Sequence, residues 1–331
     1  MSDIQTNSQF NQRIQIIINP SARSGRGQAA LFDRLKRDAA LSAACVRSDS
    51  PQHFRALLCA AQAPQAGLLA VGIAGGDGTV TLALQALADC QQRVPLWVLP
   101  TGSGNDFAND LGGSRALPHA LALLHQGIPR WVDVGEARTA AGSVQPFCCV
   151  ASVGLDERAL HHIHGSRLPR SQALNVYGAL RGLWQYQPVA VEVSWSTGSF
   201  RGPISFLAVT NTRSYGGGFR ISPRARIDDG RLDLYIVPQM PKAALLWRFP
   251  RILRGTHGDI PGVVQAQVDR VFIRSCQEDR PLPVCLDGEL PTLCTPVELR
   301  PAQRRLLVLS PRRLADRAAP PFGTHHKLEA A

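Results

Sequence analysis

The sequence predicts an α/β unit with a parallel sheet in its first half, followed by a mostly antiparallel β unit. Three observations lead there. Up to about residue 125, buried-type β-branched runs alternate with helical patterns of roughly 10–15 residues, which is the signature of βαβ units. Beyond that point, short runs of alternating apolar residues are separated by glycine and proline clusters, as in antiparallel sheets. The 331 residues, 44% hydrophobic and 18% charged, are enough for about two globular cores without disulfide or metal staples.

Residues 1–12 carry no periodic pattern and read as a disordered tail. Ile14 to Ile18 is a β-branched run, predicting a buried strand. In residues 28–40, Leu31, Leu35 and Ala39 recur at four-residue spacing, predicting a helix. Residues 43–47 make a weak strand. Residues 51–63 set Phe54, Leu57, Leu58 and Ala61 on one helical face. Residues 68–74 are another buried strand. Val80, Leu84 and Leu87 mark the next helix, residues 96–99 the next strand and residues 116–125 a further helix. The boundary falls within 134–140. After it, residues 160–184 form a helical interruption. Strands are expected at 189–195, where Val189, Val191, Val193 and Trp195 alternate, and at 204–210, 232–237, 268–274, 297–300 and 306–309. The tail after Arg317 is rich in Ala, Pro and His and reads as disordered.

This balance excludes a wholly disordered or fibrous chain. No stretch reaches the roughly 18 uninterrupted apolar residues of a spanning helix. Residues 1–11 are polar with no apolar core, so a cytoplasmic chain without a secretory signal is expected. The formal net charge is +11, and only Lys36, Lys242 and Lys327 among the basic residues are lysine. Such an arginine excess points to phosphates, nucleic acid or an anionic membrane face; a general preference for arginine codons accounts for it equally well. The eight cysteines contain no C-x-x-C pair, so reduced, buried thiols are expected rather than zinc or dithiol chemistry.

The strongest local motif is Gly75-Gly76-Asp77-Gly78-Thr79, between a buried strand and a helix. Glycines let the backbone approach a ligand and adopt φ > 0. The free N–H groups of the helix then face an anion, phosphate being the natural occupant. Asp77 would repel phosphate unless a cation bridged them, which suggests Mg²⁺. The simpler reading is a tight turn with Asp77 or Thr79 as N-cap. A second loop, Leu99-Pro100-Thr101-Gly102-Ser103-Gly104-Asn105-Asp106-Phe107-Ala108, follows the next strand. A third, Asn19-Pro20-Ser21-Ala22-Arg23-Ser24-Gly25, follows the first. All three lie at the carboxyl ends of strands, where open α/β sheets bind ligands.

In these loops the chain resembles the diacylglycerol kinase and lipid kinase superfamily, in particular the small bacterial soluble lipid kinases. The resemblance also rests on Val153-Gly154-Leu155-Asp156, on Gly216-Gly217-Gly218, on the run Ser222 to Leu234 around Asp228-Asp229-Gly230, and on Leu286-Asp287-Gly288-Glu289. These occur in the family's order and span about residues 14 to 310. The resemblance implies a Rossmann-like nucleotide-binding α/β domain (13–135), a β-sandwich-like lipid-substrate domain (136–300) and a segment returning to the first domain (301–317), with the active site in the cleft. It implies ATP-dependent phosphorylation of a lipid hydroxyl on diacylglycerol, phosphatidylglycerol or a sphingoid-type alcohol. Carried over by position, Asn19, Ser48, Gly75, Gly76, Asp77, Gly78, Thr79, Val80, Thr81, Gly102, Ser103, Asn105 and Asp106 would bind ATP. Ser48 and Ser103 stand where threonine is usual, and both keep the hydroxyl.

Phosphoryl transfer also needs a group to accept the hydroxyl proton. Asp287 and Glu289 are the candidates, and the sequence leaves open which is the base. The other would help hold Mg²⁺ with Asp77 and Asp106. A bare Asp-Gly hairpin turn is the competing explanation for Asp287-Gly288-Glu289. A structural Mg²⁺ is implied at Asp229 with the backbone carbonyls of Arg226 and Arg231, an oxygen-only set that suits a hard cation. His161, His162 and His164 lack metal-binding spacing and fit a surface or a substrate cleft. Residues Trp247 to Arg254 interleave aromatics and arginines, fitting either an anionic membrane or a helix packed on its apolar face. The expected enzyme is cytoplasmic and peripheral at the inner membrane face. It binds no nucleic acid, since no DNA or RNA module is visible, and a homodimer is compatible with the sequence. A soluble-metabolite kinase related to NAD kinase, or an inactive kinase-fold binder, is the alternative.

Overall fold

Strand β1 (Ile14–Ile18) is central because its β-branched side chains are buried on both faces. It pairs in parallel with β2 (Cys45–Arg47) and with β3 (Ala70–Gly75). Strand β4 (Leu96–Pro100) continues the parallel set beside β3. Every residue of β3 and β4 is buried, as expected for a sheet covered on both faces. Residues of opposite parity enter different cores. Ile17, Val71, Ile73, Leu96 and Val98 pack under helices α1 (Pro51–Ala61) and α2 (Asp77–Asp89). Ile16, Ile18, Trp97 and Leu99 face the other layer. Helix α3 (Asp106–Asp110) is a single short turn-like segment after β4. Helix α4 (Leu117–Gln126) covers the second face with Ala120 and Leu124, and Trp97 Nε1 donates to Ala120 O at 2.6 Å. The sheet order is β2-β1-β3-β4-β17-β5, with β5 (Ile128–Val132) antiparallel to β17 (Leu306–Ser310). The chain therefore leaves this sheet after Val132 and returns to it at Leu306.

The second sheet is antiparallel throughout. It contains β6 (Gly135–Thr139), β7 (Val144–Phe147), β8 (Val150–Gly154), β9 (Val189–Trp195), β10 (Gly198–Thr210), β11 (Leu232–Pro238), β12 (Val264–Val268), β13 (Val271–Ser275), β14 (Pro283–Leu286), β15 (Leu293–Cys294) and β16 (Val297–Pro301). Its order is β15-β14-β8-β10-β9-β13-β16-β6-β7, with β11 on β10 and β12 on β11. Helices α5 (Leu155–His164) and α6 (Gln172–Gln185) fill the β8–β9 connection, and α7 (Lys242–Arg254) the β11–β12 connection. The interruption expected over 160–184 is thus two helices. The strand expected over 268–274 is two, broken at Asp269 and Arg270. The two sheets share apolar packing: the cluster under α1 and α2 continues into Cys148, Val150 and Ala208.

The computed structural model describes residues 13–19, 31, 33, 37, 44–112, 117–166, 168, 171–257 and 260–312. The loop residues Pro20 to Gly25, most of the helix expected over 28–40 and both expected tails lie outside the described residues. No described helix is long and apolar enough to cross a membrane.

Candidate active site

The Gly75–Thr79 and Thr101–Asp106 loops follow neighbouring parallel strands, so they leave the sheet side by side. Their backbones touch. A Cβ on Gly102 would lie 2.3 Å from Gly76 Cα, and one on Gly75 would lie 2.0 Å from Thr79 Oγ1. Only glycine permits that approach. The N-cap of α2 is Gly76, and no side chain caps it. Asp77 instead accepts from the amides of Phe107 (3.0 Å) and Asp106 (3.2 Å) at the start of α3. The first carboxylate thereby clamps the second loop. Asn105 takes a left-handed conformation (φ 56°), accepts from Gly102 N and donates back to Gly102 O. The first loop is held similarly: Asn19 Nδ2 donates to Thr79 Oγ1 at 3.0 Å.

Asp106 is fully buried. It accepts from Ser214 Oγ (2.8 Å) and Gly217 N (2.7 Å), on the loop after β10. Gly216, Gly217 and Gly218 all have positive φ, which turns the Gly217 amide inward. Asp110, one turn on, accepts from Arg213 Nε at 2.9 Å and from Arg213 N. A Cβ on Gly104 would meet Asp77 Oδ2 at 2.7 Å and Asp106 Oδ2 at 3.4 Å, so both carboxylates reach one small space beside Gly104. Burial, with Asp106 and Asp287 alongside, pushes the Asp77 carboxyl up to about 7 against the pull of its two amides. Concentrated negative charge of this kind, with oxygen donors only, suits a divalent cation.

The Leu286–Glu289 segment approaches from the second sheet. Asp287 and Gly288 both have positive φ (52° and 76°), and Glu289 N donates to Leu286 O at 2.9 Å. This is a tight turn with positive φ at both central residues, set inside a longer connection, because β14 and β15 pair through Pro283 with Cys294 and Val284 with Leu293 rather than as the expected two-residue hairpin. The two carboxylates differ sharply. Asp287 is saturated: Oδ1 accepts from Cys149 N (2.7 Å) and Val150 N (3.0 Å), and Oδ2 from Cys148 N (2.7 Å) and Thr81 Oγ1 (2.6 Å). It ties the second sheet to α2. Glu289 is open, with its side chain 60% exposed and His164 Nε2 lying 3.7 Å from its Oε2. The same ring nitrogen lies 3.1 Å from Gly288 O. A Cβ on Gly78 would sit 3.4 Å from Glu289 Oε1, so Glu289 faces the helix start that carries Asp77.

Cys148 and Cys149 lie close to Asp287. Burial pushes the Cys148 thiol up to about 12 and Cys149 well above its ordinary value. With Asp287 already engaged, this trio is packing rather than a ligand set.

These parts line one cavity of about 550 Å³. Its polar lining includes Asn19, Asp77, Thr79, Ser103, Asp287 and Glu289, and its apolar lining Leu160, Ile163, Leu183, Phe206, Leu245 and Phe249. Asp156 also lines it; it accepts from Ser152 Oγ (2.5 Å) and Tyr215 OH (2.6 Å), and burial pushes its carboxyl up.

Of the residues predicted from sequence, Asn19, Gly76, Asp77, Gly78, Thr79, Gly102, Ser103, Asp287 and Glu289 line the cavity. Gly75, Val80, Thr81, Asn105 and Asp106 support it from behind. Ser48 is buried, and its Oγ donates to Ile18 O at 3.1 Å. It does not line the cavity. Asp229, Arg226 and Arg231 form a separate loop, where Asp229 accepts from Arg231 N (3.1 Å) and Gln267 Nε2 (2.7 Å). Burial, then the Asp133 charge, raises the Asp229 carboxyl, and Asp233 is pushed up to about 7 by burial and by Asp229. Sequence reasoning missed Ser214 and Tyr215, and it named Asp156 within the Val153–Asp156 motif without giving it a role. His164 belonged to a noticed cluster, but nothing in its spacing separated it from His161 and His162.

Two family models match the chain: the diacylglycerol kinase catalytic domain over residues 13–137, and the YegS C-terminal NAD kinase beta sandwich-like domain over residues 149–308. A protein of Mycobacterium tuberculosis named diacylglycerol kinase is 32% identical over 260 residues, covering 78% of this chain and 81% of its own. A Chromohalobacter salexigens protein named "Probable lipid kinase YegS-like" is 32% identical over 234 residues, covering 70% and 72%. The crystal structure of a diacylglycerol kinase from Bacillus anthracis shares the fold, with a TM-score of 0.65 at 18% identity over 91% of this chain and 97% of that one.

Proposed function

The chain belongs to the diacylglycerol kinase family and is an ATP-using lipid kinase, and from that premise we propose how its cleft carries out the transfer. The observation that carries the proposal is the cavity itself, which two glycine loops and convergent carboxylates line together with a set of large apolar side chains. ATP lies with its phosphates on the N-terminus of α2, where the Gly78 amide and the helix dipole favour negative charge. Ser103 is exposed on the second loop and offers a hydroxyl to the nucleotide. Ser48 acts only by holding the end of β2 to β1.

The lipid alcohol lies against the apolar lining, and diacylglycerol is the first acceptor to test. Its hydroxyl attacks the γ-phosphorus, the bond to the β-phosphate oxygen breaks, and ADP leaves. Glu289 accepts the hydroxyl proton, since its carboxylate is open to the cavity while the oxygens of Asp287 are already filled by four donors. General-base assistance of this kind is worth about 10²- to 10⁴-fold. His164 holds the turn through Gly288 O and steadies the charge of Glu289. Asp287 positions the turn against α2.

Mg²⁺ suits the pair Asp77 and Asp106, which would hold it beside Gly104 and let it neutralise phosphate charge. Asp229, with the carbonyls of Arg226 and Arg231, suits a second, structural Mg²⁺. The carboxylates of Asp133 and Asp233 near a partly buried Asp229 support that reading. The six large apolar residues that line the cavity favour a lipid over a soluble dinucleotide. The enzyme works as a peripheral protein at an anionic membrane face.

The test is transfer of labelled γ-phosphate from ATP to a panel of lipid alcohols, with NAD⁺ as control. Label in a lipid product supports the proposal. Label only in NAD⁺, or in nothing, overturns it.

A further inference from the structure

Helices α6 and α7 each present two faces. Inward, Ala179 and Leu183 of α6 and Leu245 and Phe249 of α7 line the cavity. The helices pack together through Leu183, Tyr186 and Leu245, and Lys242 Nζ of α7 donates to Trp184 O of α6 at 2.6 Å. Outward, the same helices expose large apolar groups. Tyr177, Leu180 and Trp184 recur at spacings of three and four, hence along one side of α6. They are 52%, 37% and 70% exposed. On α7, Leu246 is 49% and Trp247 80% exposed. Leu168, in the α5–α6 connection, is 68% exposed. Isolated exposed apolar residues are ordinary, but a set this large on two helices packed together marks an interaction surface.

Charge says what it meets. Neither Gln172–Gln185 nor Lys242–Arg254 contains an acidic residue. Arg181, Lys242, Arg248, Arg251 and Arg254 accompany the patch. Arg248 bonds Met240 Sδ, and Arg251 bonds the Thr256 carbonyl. None of the five forms a salt bridge to a carboxylate among the described residues. Tryptophan and tyrosine favour the headgroup layer, and arginines there are drawn to anionic lipid.

We propose that the outer faces of α6 and α7, centred on Trp184 and Trp247, are the surface that docks on an anionic bilayer. The inner faces of the same helices wall the lipid chamber, so docking sets the chamber about one helix diameter, roughly 10–12 Å, from the headgroups. The inference rests on the lipid-substrate reading and adds to it the face that meets the membrane.

The test is flotation of the full chain with vesicles of phosphatidylglycerol and phosphatidylcholine, without ATP. Wild type should float, with binding that falls as salt rises. The Trp184→Ala/Trp247→Ala variant should lose about tenfold or more in partitioning. Its turnover of a short-chain acceptor dispersed as monomers should be unchanged. The Arg181→Gln/Arg254→Gln variant, which leaves the apolar patch intact, should lose the preference for phosphatidylglycerol by about tenfold. Equal flotation of the double tryptophan variant and wild type would overturn the assignment, as would failure of wild type to bind. A wild-type dimer that the tryptophan changes convert to monomer, with flotation intact, would make the face a subunit contact and also overturn it. Flotation is read without turnover, so failure to phosphorylate any lipid would refute the kinase reading separately.

Discussion

Asp77 carries a conflict between stability and function that can be measured. Its carboxyl is raised from an ordinary 3.8 to about 7 by burial and by Asp106 and Asp287. The native state therefore binds more protons than the unfolded chain between about pH 4 and 7, and stability falls as pH rises through that window. The full shift corresponds to about 4 kcal/mol at pH 8. Asp77→Asn removes the charge and keeps the shape. It can still accept from one of the two amides, and losing the other costs about 1–3 kcal/mol. In the absence of nucleotide and Mg²⁺, the variant should be more stable than wild type at pH 8 by roughly 1–3 kcal/mol, raising Tm by roughly 1–4 °C. Near pH 5 the advantage should vanish or reverse. Turnover should be lost at every pH. Thermal melts across pH 5–8 read this directly. A variant destabilised equally at pH 5 and pH 8 would refute the reasoning, because the Asp77 charge would then carry no penalty in the fold.

Other changes test separate parts of the site. Gly102→Ala should destabilise by about 1–3 kcal/mol and impair ATP binding, since its Cβ would meet Gly76 Cα at 2.3 Å; melting and nucleotide titration check both. Asp229→Ala should reduce the rise in Tm produced by Mg²⁺ without ATP, a mass-action effect of binding to the native state; an equal response would reduce Asp229 to a turn residue. Burial tends to raise the Glu136 carboxyl, but Arg138 (2.7 Å) and Arg300 (2.6 Å) outweigh it and hold it below its ordinary value. Its stabilising effect is then full above the ordinary pKa of about 4.3 and is lost as pH falls through the lowered one. Glu136→Gln should cost about 1–2 kcal/mol at pH 7 in these partly exposed pairs, and the gap in Tm should close in acid.

The legible parts of this molecule are those set by local constraints. The glycine loops could be read because close backbone approach leaves a trace in the residue type, as at Gly75, Gly76 and Gly102. Strands β1, β3 and β4 could be read because burial on both faces demands uninterrupted apolar runs. Strand β6, with the sequence GEART, has one face against the core through Ala137 and little pattern to show it. Nor did spacing reveal the break at Asp269 and Arg270. The roles of Asp287 and Glu289 were illegible for a stronger reason. What separates them is which donors meet each carboxylate, and those of Asp287 come from Thr81 and from Cys148 to Val150, far away in sequence. The support of Asp106 by Ser214 and Gly217 is nonlocal in the same way. At Ser48 too the fold adds a partner distant in sequence, since its Oγ donates to Ile18 O.

The most direct measurement compares Glu289→Gln with Asp287→Asn, using labelled ATP and a short-chain diacylglycerol. Glu289→Gln should fold with wild-type stability, bind ATP normally and lose about 10²- to 10⁴-fold in kcat. Asp287→Asn puts an amide donor among four donors, so it should lower stability by about 2–6 kcal/mol and lose activity along with structure. Near-wild-type kcat in Glu289→Gln, or a folded Asp287→Asn with a selective loss of kcat, would contradict Glu289 as the base.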